Sequence, residues 1–248
     1  MAAEDATDRD RFAADLRGFG ALGLLAIVVI VLPGNVSVAG LVLPVSGMLV
    51  LLWRAASHTP WREIGYVRPR SWIGDLAFGI VLGVALKLLL KAVVMPLLGA
   101  DPINHAYHYL VGNTAALPAA MFAMIVAAAF GEETTFRGFL FERFGRLFGR
   151  GLVAKAATVL ATSTWFSLSH LSDQGLAGAE QAAVTGLVMG CIFAVTGRIW
   201  LPMCVHAAYD LTALAIIYLD RETEVAHWLL NCPAGASPRT RANAVAVN

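Results

Sequence analysis

Long apolar runs alternate with short polar segments along the chain, and the lengths of these runs suit a membrane. The hydrocarbon core of a bilayer takes about 20 residues of helix. The pattern predicts seven spans, at about 19–32, 36–53, 72–98, 117–133, 153–171, 182–195 and 200–219. The first two are predicted to form a helical hairpin around Pro33, Gly34 and Asn35. We therefore expect an all-α fold, a polytopic membrane helix bundle of about seven transmembrane helices.

Composition strengthens this prediction. Apolar residues make up 58% of the 248-residue chain and charged residues only 14%, against about 25% charged in an ordinary soluble domain. The mean hydropathy is +0.69, so lipid must solvate much of the surface. The net charge of +1 gives no reason to expect a nucleic-acid partner. The cysteines make no disulfide framework; they are Cys191, Cys204 and Cys232.

Arginine and lysine concentrate in alternate loops, which sets the expected topology. The segments before span one and after spans two, four and six are basic, whereas the other loops hold almost no Lys or Arg. The positive-inside rule therefore predicts a cytosolic N-terminus. We expect a cytosolic tail at 1–18, a transmembrane domain at 19–220 with its core at about 115–219, and a partly disordered tail at 221–248. The expected location is a prokaryotic inner membrane.

Ionisable side chains within membrane spans are costly, so each is a candidate functional residue. Glu132 and Glu133 end span four and are followed by Arg137. Adjacent helical positions point about 100° apart, so the two carboxylates have different neighbours. Glu133 and Arg137 are four residues apart with the acid first, the better order for an ion pair. A solvated charge cluster at a helix end is the alternative explanation.

Two histidines complete the candidate site. His170 follows Phe166 by one helical turn in span five, and His206 precedes Asp210 by one turn in span seven. A packing histidine and a self-satisfied His–Asp pair are the simpler explanations. If spans four, five and seven pack together, a carboxylate and histidines can hold and deprotonate a water, and the same set could instead bind zinc. The sequence contains neither a GxSxG elbow nor an HExxH helix.

The order and spacing of these motifs resemble the CPBP family of intramembrane endopeptidases, the CAAX-protease or Abi group related to the Ras-converting enzyme. The family patterns E-E-x-x-x-R, F-x-x-x-H and H-x-x-x-N/D read here as Glu132-Glu133…Arg137, Phe166…His170 and His206…Asp210. The segment from Trp61 to Tyr66 also looks like the one that precedes the family's core.

The resemblance implies hydrolysis of a peptide bond in a membrane-associated, prenylated or sorted substrate. It implies water activation by Glu132 and His170, structural support by Glu133 and Arg137, oxyanion stabilisation by His206 and Asp210, and substrate contact by Phe166. Many relatives carry Asn at the position of Asp210. Because an ionised Asp cannot donate to an oxyanion, Asp210 is either protonated or orients His206.

Cofactor use follows from the same resemblance. The family is often described as metal-dependent. We favour a glutamate mechanism that requires no cofactor, with zinc on Glu132, His170 and His206 as the alternative. The expected partners are a peptide or protein substrate and the lipid bilayer. A non-catalytic membrane binding or immunity protein, or a proton-coupled transporter, would share the same helix bundle.

The depths of the motifs in the membrane must also agree. His170 falls near the far end of span five, whereas Glu132 and His206 lie nearer the cytosolic side. The three meet if span four continues to about Phe144 and span five to about Gly178, which we expect.

Two further pairs in the spans have open or structural explanations. Lys87 and Lys91 are four residues apart in span three. Three explanations are open for them: they face the substrate, they line a polar cavity, or they snorkel to the interface. Gly186 and Gly190 form a small-xxx-small pattern, which we expect to tighten helix packing within the bundle.

Overall fold

The computed structural model describes residues 2–149 and 151–230, with side chains from residue 8 onward. The regular structure of this part of the chain is helical apart from one β-hairpin, so the predicted all-α class is confirmed. The division into two tails and a membrane domain stays a prediction, although a helix covers most of the expected N-terminal tail. Residues 231–248 of the expected C-terminal tail, including Cys232, lie outside the described residues.

Helices provide most of the regular structure. In chain order they are α1 (Ala2–Arg17), α2 (Ala21–Val31), α3 (Val45–Ala56), α4 (Trp72–Leu97), α5 (Thr114–Phe148), α6 (Leu152–Ser169), α7 (Leu171–Thr196), α8 (Trp200–Tyr218) and α9 (Glu222–Ala226). Between α2 and α3, strands β1 (Val36–Val38) and β2 (Leu41–Leu43) pair antiparallel. A 3-10 turn at Trp61–Ile64 precedes α4. Much of α5 has π-helical hydrogen bonding, at Ala123–Glu132 and Thr134–Leu140.

Fewer helices can cross a membrane than the sequence pattern predicts. Within the described residues, α4, α5, α7 and α8 are long and apolar enough, and α1 with α2, bent by 59°, adds a fifth crossing if the pair spans as one. The predicted count of seven is therefore not confirmed. The predicted fifth span corresponds to α6, which is not among these helices.

The predicted second span, at 36–53, is wrong. Its first half forms the β-hairpin, and only α3 at its end is helical. Ala39 and Gly40 both have positive φ angles, which turn the chain between the strands. Pro44 disfavours a helical conformation at the residue before it, so α3 begins only after it.

Small residues allow two pairs of helices to approach closely. A Cβ added at Gly83 of α4 would lie 2.4 Å from the Val205 carbonyl oxygen of α8. Where α7 meets α6, a Cβ at Gly186 would lie 3.2 Å from Ser163 Cβ, and one at Gly190 would lie 3.6 Å from Ser163 Oγ. Gly186 and Gly190 therefore tighten packing within the bundle, as predicted.

The β-hairpin and α3 lie against the middle of α5 because of Gly131. A Cβ at Gly131 would lie 2.3 Å from Pro44 Cβ, and one at Gly47 would lie 2.8 Å from the Gly131 Cα. Any larger side chain at either position would separate the two elements. The contact places the hairpin beside the residue that follows Gly131 on α5, which is Glu132.

A network of arginines and glutamates ties the segment before α4 to α5. Glu63 contacts Arg17 at 2.9 Å and Arg146 at 3.1 Å, and Glu142 pairs with Arg143 and Arg146. Burial raises the pKa of Glu63, but the hydrogen bonds and charges of Arg146 and Arg17 outweigh burial and hold the pKa below its ordinary value of 4.5. This basic end of the bundle is the one predicted to be cytosolic.

Candidate active site

Glu133 is the buried centre of the polar cluster on α5. Its side chain is fully buried, and Oε1 accepts hydrogen bonds from Arg137 Nη1 and His206 Nδ1, both at 2.8 Å. Arg137 is also buried, and its Nη2 donates to the Gly186 carbonyl at 3.1 Å. The expected i,i+4 pair is therefore present, and it joins α5 to α7 and α8.

His206 presents its two ring nitrogens to different carboxylates. Because a carboxylate can only accept, the nitrogen that faces Glu133, Nδ1, carries a hydrogen. Nε2 lies 3.4 Å from Asp210 Oδ2 and 3.9 Å from Glu132 Oε2. Asp210 therefore lies against the ring of His206, one turn along α8. This is the position that Asp210 needs in order to orient His206, one of the two roles considered from the sequence.

Glu132 points away from Glu133, as adjacent helical positions must. Its Oε1 accepts a hydrogen bond at 2.8 Å from Asn35 Nδ2, in the loop just before β1. Its Oε2 is buried and has no hydrogen-bond partner within the described chain. A buried carboxylate oxygen without a donor is unfavourable, so a water or ligand that donates to Oε2 would be bound well.

Phe166 connects His170 to the rest of the cluster. Its ring centroid lies 4.6 Å from that of His170 and 6.1 Å from that of His206, and Arg137 Cζ lies 4.8 Å from it. His170 Nδ1 lies 2.7 Å from the Phe166 carbonyl oxygen, so Nδ1 carries a hydrogen. Nε2 has no hydrogen-bond partner among the residues described.

The predicted extension of span five to about Gly178 is wrong. Helix α6 ends just before His170, and the chain enters α7, where Gly175 has a φ of 64° that interrupts the helix. The predicted continuation of span four is confirmed, because α5 runs to Phe148. His170 still reaches the cluster because helical side chains lean toward the start of their helix, which brings its ring onto Phe166.

One cavity of about 230 Å³ collects these groups. Its polar wall includes Glu132, His170, His206 and Asp210, whereas Glu133 lies behind this wall. Phe166 forms part of the wall but is only 2% exposed. Small and apolar residues of α5 and α8 also line the cavity: Ala120, Ala123, Met124, Ala127, Ala128 and Ala213.

Other cavity residues were not singled out from the sequence. Asn35 follows Pro-Gly, a signal typical of a turn, so nothing local indicates its contact with Glu132. Gln181 lies within α7 but just before the predicted span at 182–195, so its polar side chain gave no signal in the sequence. Tyr107 comes from the α4–α5 loop, and burial, together with the charges of Asp210 and Glu132, raises its pKa to about 12. Its hydroxyl is therefore neutral, and it accepts a hydrogen bond from Gln174.

The zinc alternative would need Glu132, His170 and His206 as ligands. Within the described ranges, no group of three or more His, Cys, Asp or Glu residues is arranged to hold a metal ion. His206 Nδ1 donates to Glu133 and His170 Nδ1 faces the Phe166 carbonyl, so only Nε2 of each ring is left to face a ligand. Cofactor use itself stays a prediction.

Fold and site together define an integral membrane protein, a helical bundle with an internal cavity lined by glutamate and histidine. Residues 114–212, from the start of α5 into α8, match the family model described as Type II CAAX prenyl endopeptidase Rce1-like. The matched family is the one that the three motifs resemble, and the matched segment contains all of the motif residues. It also supports a membrane protease. No curated protein and no solved structure matches the chain.

Proposed function

We propose that this protein is an intramembrane endopeptidase that hydrolyses a peptide bond with a water activated by Glu132. The observation that carries the proposal is the buried Oε2 of Glu132, which has no donor in the described chain and shares a cavity with two histidines. A carboxylate in that position can hold a water and take its proton.

In the proposed reaction, the water lies between Glu132 and His170. Glu132 takes one proton from the water, and the water oxygen attacks the carbonyl carbon of the scissile peptide bond. The C–N bond then breaks, and Glu132 returns the proton to the leaving amine. His170, whose Nδ1 is held by the Phe166 carbonyl, directs Nε2 toward the water. Every proton that moves is accounted for by these groups.

His206 is the proposed donor to the oxyanion. Its Nδ1 is engaged by Glu133, which leaves Nε2 to face the cavity. With a hydrogen on both nitrogens, the ring can donate from Nε2 to a developing negative charge, an interaction that is strongest where water is excluded. Asp210, 3.4 Å from Nε2, orients the ring and holds this proton in the absence of substrate. No step requires a metal ion.

The proposed substrate is a peptide presented at the membrane. The description of the matching family names prenyl endopeptidases, so a prenylated peptide is the first substrate to test. The cavity wall of alanines and other apolar residues suits apolar side chains near the scissile bond. A membrane-associated or sorted peptide without a prenyl group is the second.

The test is proteolysis by the purified protein in lipid nanodiscs, with cleavage followed by mass spectrometry. Glu132→Gln, His170→Ala and His206→Ala should each abolish cleavage while the protein remains folded. Asp220→Asn, an exposed carboxylate in the turn after α8, is the matched control and should cleave normally. Full activity in Glu132→Gln would refute the mechanism. Recovery of intact peptides from the unaltered protein would favour the binding-only alternative.

A further inference from the structure

Lys87 is a buried cation in the wall of the cavity. Its side chain on α4 is 7% exposed, and Nζ donates to Gln181 Oε1 at 2.9 Å and lies 4.8 Å from the centroid of the Tyr209 ring. All three residues line the cavity that contains Glu132. Of the explanations considered from the sequence, lining a polar cavity is therefore correct, because a snorkelling lysine would reach the membrane surface.

Lys87 has no carboxylate within salt-bridge distance in the described chain, in contrast to the next lysine on the same face. Lys91 forms a buried ion pair with Glu222 at 2.9 Å. Of the two carboxylates among the described residues of the cavity wall, Asp210 lies against His206, and Glu132 is hydrogen-bonded by Asn35. Gln181, the hydrogen-bond partner of Lys87, is neutral.

The hydrogen-bonding capacity of Lys87 is also only partly used. An ammonium has three donors, and Lys87 uses one of them on Gln181 Oε1. The same oxygen also accepts a hydrogen bond from the Tyr209 hydroxyl, at 3.0 Å. Asp210 and Glu222 act on Lys87 only from beyond ion-pair distance, so this buried cation is only partly compensated, which is costly. The arrangement is therefore completed by a ligand that brings a negative charge and accepts hydrogen bonds.

We propose that Lys87, with Gln181 and Tyr209, forms a subsite that binds a carboxylate of the peptide substrate. This subsite rests on the proposed function, because it selects the substrate of the same cavity. Tyr209 and His206 lie on one face of α8, with their Cβ atoms about 5–6 Å apart. The bound carboxylate consequently lies within a few residues of the scissile bond.

Two parts of a peptide can supply this carboxylate: its C-terminus and the side chain of Asp or Glu. Both would accept charge-assisted hydrogen bonds from Lys87, which are stronger than those between neutral groups. A peptide that carries neither a free C-terminus nor an Asp or Glu side chain should bind less well, because it leaves the ammonium without an ion-pair partner.

The test measures binding in the Glu132→Gln protein, so that it does not depend on turnover. The probes are short fluorescent peptides of Ala, Val and Leu in nanodiscs, made as the free acid, as the C-terminal amide, and as the amide with one internal Glu. We expect the better carboxylate peptide to bind about 10- to 100-fold more tightly than the neutral amide, as measured by anisotropy. The peptide that shows this preference identifies the source of the carboxylate.

Variants then assign the preference to Lys87. Lys87→Met should abolish the preference for the carboxylate peptide and leave binding of the neutral amide little changed. Lys87→Arg should retain part of this preference. The control Lys155→Met removes one positive charge from an exposed lysine near the start of α6. This variant should retain the full preference for the carboxylate peptide. Equal binding of all three peptides to the Lys87-containing protein would overturn the proposal, as would an equal loss for all of them in Lys87→Met.

Binding and cleavage by the protein with Glu132 intact distinguish failure of the carboxylate subsite from failure of the peptidase mechanism. If the protein with Glu132 intact prefers the carboxylate peptide but leaves it uncleaved, the subsite stands and the peptidase mechanism fails. If it cleaves acid and amide peptides with the same KM and kcat, the peptidase mechanism stands and the subsite fails.

Discussion

Arg137→Met removes the cation from a buried ion pair while it preserves much of the side-chain volume. Glu133 is fully buried, Arg137 is 1% exposed, and Nη1 and Oε1 are 2.8 Å apart. Without the guanidinium, Glu133 retains only the hydrogen bond from His206. Leaving one member of a buried pair uncompensated costs about 3–5 kcal/mol. We expect the upper end of this range, because the Gly186 carbonyl also loses its donor.

Two companion variants separate charge from packing. Arg137→Lys retains the charge, but a lysine cannot bridge Glu133 and the Gly186 carbonyl with a planar fork, so we expect an intermediate loss. Arg137→Met combined with Glu133→Gln removes both charges, and most of the stability should return, because buried pairs can often be replaced by neutral groups. Cleavage should stay low in this double variant, because the neutral amide introduced by Glu133→Gln no longer offers His206 a negative charge.

The free energy of unfolding can be measured by titration with SDS in mixed micelles, followed by tryptophan fluorescence. The unaltered protein and the exposed control Asp220→Asn should agree. If Arg137→Met differs from them by no more than about 0.5 kcal/mol, the size of a surface substitution, the buried pair does not hold the helices together. A double variant less stable than Arg137→Met would contradict the argument about the uncompensated charge.

The remaining predictions concern three other contacts. Asn35→Ala removes the hydrogen bond that orients Glu132 and should lower kcat about tenfold with little change in KM; an unchanged kcat would show that the contact is dispensable. Gly83→Ala places a methyl group 2.4 Å from a backbone carbonyl of α8 and should cost about 1–3 kcal/mol, whereas Gly145→Ala, which meets open space, should not destabilise; equal effects would argue against the close helix contact. The pKa of Glu63 is lowered in the fold, so its contribution to stability is present above pH 4.5 and is lost as the pH falls through the folded value. The difference in thermal stability between the unaltered protein and Glu63→Gln should therefore shrink on acidification below pH 4.5, and a difference independent of pH would contradict the ion-pair assignment.

Local patterns in the sequence were enough for the membrane helices and for the pair on α5. Apolar runs predicted α4, α5 and α8 closely, because burial in lipid requires an uninterrupted length of apolar side chains. The pair of Glu133 and Arg137 was predictable because residues four apart on a helix always lie side by side. The same rule placed Asp210 beside His206.

The same patterns failed where apolar residues adopt another local structure. The run at 36–53 is as apolar as a span, but the turn at Ala39 and Gly40 and the proline at 44 divide it into a hairpin and a short helix. Hydropathy alone cannot separate these outcomes, because strands and helices both bury apolar side chains. The end of α6 before His170 escaped prediction for a similar reason, since the interruption at Gly175 depends on backbone conformation.

The sequence by itself determined that this is a membrane helix bundle and which acids and histidines are candidates for chemistry. Only the tertiary structure decided which of them share a cavity and what else joins them. The hydrogen bond from Asn35 to Glu132 spans 97 positions and that from Lys87 to Gln181 spans 94. Such contacts depend on how closely helices approach, which glycines such as Gly131 control, and no local periodicity contains that information.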